Sequence, residues 1–147
     1  MSAPWLRRTM QAGLAVVACL ATLSIAAPAI GQTVPKIDCT KAVSTPELNW
    51  CSEQELAAAD KKLNEAYVQV LKHIASADTM PKEQRQKWTD AVREAQRRWI
   101  AFRDQDCGEV IGYEWFGGTG MTGAMLGCKI EKTMARTKEF QERYLER

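Results

Sequence analysis

SEQELAAADKKLNEAYVQVLKHIASADTMPKEQRQKWTDAVREAQRRWIAFRDQD, residues 52–106, decides the fold. In its first half Leu56, Leu63, Tyr67, Val70 and Ile74 fall on one helical stripe, while Lys61, Lys62, Glu65, Gln69 and Lys72 lie largely off it. Asp78-Thr79-Met80-Pro81 then breaks the chain, and Asp78 or Thr79 is expected to cap the second helix. In the second half Trp88, Val92, Ala95, Trp99 and Phe102 alternate steps of four and three, with Arg85, Lys87, Asp90, Arg93, Glu94, Arg97 and Arg98 on the other faces. Two amphipathic helices of similar length joined by a short turn make an antiparallel hairpin. Thr45-Pro46-Glu47 and Ser52-Glu53-Gln54-Glu55 both have helix-start form, so the first helix begins at 46 or 52 and ends near 77; the second spans about 81–106.

Toward the C-terminus, seven of the nine glycines lie between 108 and 127: Gly108, Gly112, Gly117, Gly118, Gly120, Gly123 and Gly127. Tyr113, Trp115 and Phe116 sit among them, and Cys107 and Cys128 bracket the stretch, which reads as a loop. A third helix is expected from about Thr122 to Leu145, with Leu126, Ile130, Met134, Thr137, Gln141 and Tyr144 near one stripe. No strand signal of any strength appears. The predicted fold class is all-α, a three-helix antiparallel bundle with a glycine-rich loop at one end.

Toward the N-terminus, residues 1–31 read as a signal peptide that is removed, leaving 32–147 as a single helical domain. Arg7 and Arg8 precede an uncharged run from Thr9 to Ile30 that ends in Ala29-Ile30-Gly31, a small-x-small cleavage form. A membrane anchor is the competing reading of this run, and Val16-Val17-Ala18-Cys19 has the form of a lipoprotein site, so lipid anchoring through Cys19 is a minority alternative to a periplasmic or secreted protein. Without the leader, the 20 basic residues fall to 18 against 18 acids, and the five cysteines to Cys39, Cys51, Cys107 and Cys128. Neutrality argues against a nucleic-acid partner, and 46% apolar with 26% charged residues excludes a disordered chain. An even cysteine count in a small exported domain implies two disulfides. A zinc site would compete, but no C-x-x-C spacing exists and a single histidine removes multi-histidine metal sites. In the hairpin Cys51, Cys107 and Cys128 fall near one end, so all three pairings are open and the sequential one is the simplest.

Asp38-Cys39, Cys51, Leu56, Asp60, Leu63, Asn64 and Tyr67, followed by Gln96, Trp99, Arg103, Asp104, Cys107, Cys128 and Arg136, carry a family likeness. The L-x-x-x-D-x-x-L-N-x-x-Y and Q-x-x-W-x-x-x-R-D patterns resemble the LprI-like lysozyme-inhibitor N-terminal domain, over about residues 38–145. The resemblance implies a small exported bacterial helical domain with sequential disulfides, Cys39–Cys51 and Cys107–Cys128, and inhibition of lysozyme. The Cys107–Cys128 segment departs from the family's short link, being longer and richer in glycine and aromatics.

Asp60 flanks the first stripe and Arg103 follows Trp99 by four residues, so the hairpin brings them level. An ion pair is expected there, joined by Gln96 or Asn64, fixing helix register rather than binding a ligand. Gly118-Thr119-Gly120-Met121-Thr122-Gly123 has G-x-G-x-x-G form, but no strand precedes it and no βαβ unit surrounds it, which argues against a nucleotide site; its amides could at most hold an anion. The candidate binding loop is Tyr113, Trp115 and Phe116 with Thr119 and Thr122 as donors. Its rings either meet a partner or cap the bundle, and both readings are open. A lysozyme cleft works with two carboxylates. An inhibitor could plug or cover it with aromatic bulk, while Glu109 and Glu114 meet a cationic rim. The alternative is an envelope module that binds a peptidoglycan component or a partner protein. His73 stands near the first stripe with no nucleophile motif beside it. No catalytic residue, metal site, cofactor or stable membrane insertion after cleavage is expected.

Overall fold

A computed structural model describes residues 37–146; the expected leader over 1–31, with Cys19, lies outside them. The described chain is all-helical, with no strand. Ser44 opens α1 (Thr45–Ala75) with a reciprocal cap: its hydroxyl accepts from the Glu47 amide, and the Glu47 carboxylate accepts from the Ser44 amide at 3.1 Å. The Ser44 hydroxyl and amide hold the Glu47 carboxyl below the usual carboxylate range, so this cap is complete at neutral pH and is lost as pH falls through that lowered value. The first of the two start signals is the one used, and Ser52–Glu55 is helix interior.

The turn after α1 is closed differently from expectation. Neither Asp78 nor Thr79 caps α2 (Lys82–Gln105), whose N-cap is Pro81 with no side-chain bond. Arg85 reaches back instead, its Nη1 donating to the carbonyls of Met80 at 2.6 Å and Ala77 at 3.2 Å. The far end of α2 brings the larger correction. The helix does not give way to a loop at Gly108; it passes through a π-helical turn (Asp106–Val110) into α3 (Ile111–Glu114). Two glycines weaken such a stretch by roughly 1 kcal/mol each, but Cys107 within it is fully buried and bonded to Cys128. Only 115–120 are irregular before α4 (Met121–Phe140), which ends in a second π-helical turn (Gln141–Leu145).

The helices run up, down and up. Asn49 lies beside Gly123 and Tyr67 beside Phe140, so α1 and α4 are parallel. These two approach more closely than either approaches α2. Side-chain size explains it: α1 turns Ala59 and Ala66 inward and α4 turns Thr133 inward, whereas α2 brings Trp88, Val92 and Trp99. Leu63, Ala66, Val70, Ile74, Val92 and Phe140 form the core. The two disulfides pair sequentially, Cys39–Cys51 and Cys107–Cys128, with Cα separations of 5.7 and 5.4 Å.

Two expected stripes are rotated. On α2, Ala95 and Phe102 are exposed and the buried positions are Val92, Gln96 and Arg103. On α4, Met134 and Gln141 are exposed while Ile130, Thr133 and Phe140 are buried. Apolar periodicity misses both because part of each buried face is polar and internally paired. Phe140→Ala is therefore expected to lower stability by about 3–5 kcal/mol in urea denaturation, and Met134→Ala to stay within about 0.5 kcal/mol. The stripe read from sequence would give the reverse order.

Candidate functional site

Two groupings of side chains compete for the role of site. The first is a polar layer across the middle of the bundle. Arg103, 9% exposed in its side chain, donates from Nη1 to Asp60 Oδ1 at 2.6 Å and Thr133 Oγ1 at 2.8 Å, and from Nε to Asp104 Oδ1 at 3.1 Å. The predicted partners Asp60 and Arg103 are thus brought together, but the expected bystanders differ. Asn64 is exposed, and buried Gln96 accepts from Arg136 Nε at 3.1 Å. Trp99 lies between the two guanidiniums, 5.5 Å from that of Arg103 and 5.8 Å from that of Arg136. Sequence reasoning missed Thr133 and the Gln96–Arg136 bond; the i, i+3, i+7 spacing of Gln96, Trp99 and Arg103 was the available signal. No buried side-chain polar atom among the described residues lacks a partner. Around Arg103 the network closes on itself, so that part of it positions helices and offers little to a ligand.

The second grouping is the turn between α3 and α4. Phe116 takes φ 48° and Gly117 φ 74°, two successive left-handed residues that reverse the chain. The Gly118 amide closes the turn on the Trp115 carbonyl at 2.9 Å. Gly117 adopts this conformation freely, whereas Phe116 does so at a cost of about 1–2 kcal/mol. Phe116 is nonetheless 95% exposed, and Tyr113 79%. Trp115 differs: it is 46% exposed, and its indole lies so close over Gly120 that a Cβ there would overlap the ring. The three rings are placed differently, with Trp115 seated over Gly120 and Tyr113 and Phe116 turned outward.

Thr119 and Thr122 are exposed beside this turn. The G-x-G-x-x-G run is not a free anion cradle. Its Gly118 and Met121 amides already donate to Trp115 and Gly118 carbonyls, and Gly120 serves as the N-cap of α4. Asp106, Cys107 and Cys128 have ligand atoms close enough to share a metal, but the two sulfurs are joined to each other and carry no thiolate. His73 lies far from the turn, edge-on to Trp88 with ring centroids 6.5 Å apart. Around the turn, residues 104–128 contain no Lys or Arg. Asp104 and Asp106 face Lys129 and Lys132, and Glu109 and Glu114 are exposed.

Two substitutions separate these roles. Arg103→Ala is expected to cost about 3 kcal/mol, because it strips a buried donor from Asp60 and Thr133 at once. Arg103→Lys should recover only part of that, since an ammonium could serve Asp60 and Thr133 but loses the Nε and Nη2 contacts to Asp104 and the planar group over Trp99. Gly120→Ala should lower stability in urea denaturation modestly, by about 1 kcal/mol, and shift the Trp115 indole N–H resonance as the ring swings out. An unshifted resonance would contradict the seat described for it.

Among known proteins, the family described as Lysozyme inhibitor LprI matches residues 38–140. A protein of Rhizobium meliloti (strain 1021), itself described as uncharacterized, is 37% identical over 123 residues, covering 82% of this chain and 87% of its own length. No solved structure matches. The match takes in both disulfides, the polar layer and the aromatic turn, and on it the chain belongs to the LprI lysozyme-inhibitor family.

Proposed function

We propose that this protein inhibits lysozyme by inserting the 113–116 turn into the enzyme's substrate cleft. The observation that carries the reading is Phe116: a large apolar ring, almost wholly exposed, held in a strained left-handed conformation on a turn whose flanks are tied by Cys107–Cys128. A pre-ordered loop loses little entropy on docking, and aromatic anchors dominate the energy of most interfaces. Phe116 would occupy the cleft where a sugar ring otherwise lies, with Tyr113 beside it. Trp115 supports the turn from beneath. Blocking access to the two cleft carboxylates suffices for inhibition, so no catalytic group is required of the inhibitor.

Charge supports the same face. Glu109 and Glu114 flank the rings with no base between 104 and 128, which suits a cationic rim and would raise the association rate at low salt. Two formed disulfides fit an oxidising compartment. We accordingly read residues 1–31 as a cleaved export signal and the site of action as periplasmic or secreted.

The test is lysozyme-driven turbidity loss with the purified oxidised protein, against hen-type, goose-type and invertebrate-type enzymes. Inhibition of at least one class at micromolar concentration is expected. Phe116→Gly should keep stability within about 1 kcal/mol of the parent, since it relieves the left-handed strain. It should also raise the half-inhibitory concentration by about 30-fold or more, as loss of a ~2 kcal/mol hot spot implies. No inhibition of any class, or equal potency of Phe116→Gly, would defeat the reading.

A further inference from the structure

At the end of the bundle away from the aromatic turn, two hollows of about 280 and about 270 Å³ meet at Trp88, Arg143 and Tyr144. The larger is a trough between α2 and α4. Ala91 and Ala95 line its α2 side and Arg136 its α4 side, and the smaller hollow is completed by His73. The alanines contribute to the opening: between Trp88 and Trp99, positions 91 and 95 of α2 carry only methyl groups. Trp88 and Tyr144, both half-buried, stand with centroids 6.2 Å apart and planes tilted by 39°.

The charged wall is unusually well fixed. Arg136 is only 12% exposed, with Phe140 4.4 Å from its guanidinium on one side and Trp99 5.8 Å away. Its Nε is held by Gln96 and its Nη1 by Glu139 at 2.6 Å. A guanidinium has five N–H donors in one plane, and stacking covers the faces of that plane while leaving its edge usable. The Nη2 of Arg136 has no hydrogen-bond partner among the described residues and, since no fully buried side-chain nitrogen there is unpaired, keeps some exposure, while the Arg136 side chain is part of the trough's lining. Arg143 lies 5.2 Å over the Tyr144 ring and only 3.8 Å from Glu139, which Arg136 already engages more closely. One guanidinium is thus pre-oriented, and a second is loosely held and can swing.

The geometry points to a binding site for a carboxylate-bearing sugar in this trough. Aromatic faces accept the apolar C–H face of a pyranose, and a carboxylate can take a charge-assisted hydrogen bond from the remaining Nη2 of Arg136 and a second from the mobile Arg143. The hollow is at the small end of ligand pockets, which suits one sugar residue. The site stands independently of the inhibitor reading: His73 and Asn49, which mark the two ends of α1, are about 36 Å apart at 1.5 Å per residue.

The experiment is a titration of the ¹⁵N-labelled oxidised protein with N-acetylmuramic acid, N-acetylglucosamine and acetate, reading the indole N–H resonances of Trp88 and Trp115. Saturable movement of Trp88 by N-acetylmuramic acid is expected, at least tenfold tighter than by either control, with Trp115 unmoved. Arg143→Gln, which removes an exposed charge, should weaken binding about tenfold, a loss near 1.4 kcal/mol. Ala95→Leu should abolish binding by filling the trough while preserving the charges. No saturable shift of Trp88, equal binding of N-acetylglucosamine, or an unaffected Arg143→Gln variant would overturn the proposal.

Discussion

The fork of Arg103 is the constraint on which the bundle depends. One side chain of α2 reaches Asp60 on α1 and Thr133 on α4, so a single guanidinium sets the mutual register of the three long helices. The neighbouring Arg136 repeats the arrangement from α4 to Gln96 on α2, and Trp99 lies between the two cations. Burying two guanidiniums is costly unless every donor is answered. Here Arg103 is answered by Asp60, Thr133 and Asp104, and Arg136 by Gln96 and Glu139. Specific register follows, because sliding any helix by one turn would strand a buried charge. The hydrophobic core of six residues is small, and it cannot supply that specificity alone.

This arrangement also explains what the family resemblance is built from. Asp60, Gln96, Trp99, Arg103, Asp104 and Arg136 all carry that resemblance, and all belong to one layer joined through Arg103, Trp99 and Arg136. Such a pattern reports the fold. It says little about the face that meets a partner, since none of these side chains reaches the 113–116 turn.

The class of fold, the hairpin, the sequential disulfides and the Asp60–Arg103 proximity were legible from helical spacing, cysteine count and family likeness. What was not legible had one physical cause in two places. On α2 and α4 the buried stripe includes Gln96, Arg103 and Thr133, and a search for apolar periodicity rotates such a helix toward Phe102 or Met134 instead. Glycine content misled separately. Gly108 and Gly112 look like loop residues, but the disulfide at Cys107 supplies the tertiary restraint that keeps a weak helix former helical. Local propensity yields to a covalent tie, and nothing in the residues between 108 and 114 announces it.

Phe116 is where stability and function part company. Its ring is almost wholly solvent-exposed, while its backbone carries left-handed strain that glycine would not. Folding therefore supplies no reason for phenylalanine at this position; glycine would be the better residue by that criterion alone. Beside it, Trp115 is anchored over Gly120, so the strained turn is not loose but braced. A braced backbone that displays a ring to solvent has a free-energy cost in the isolated protein, which contact with a second molecule would offset. That argument rests on conformation and exposure rather than on family membership, and it supports the proposal that a partner meets the bundle at the aromatic turn.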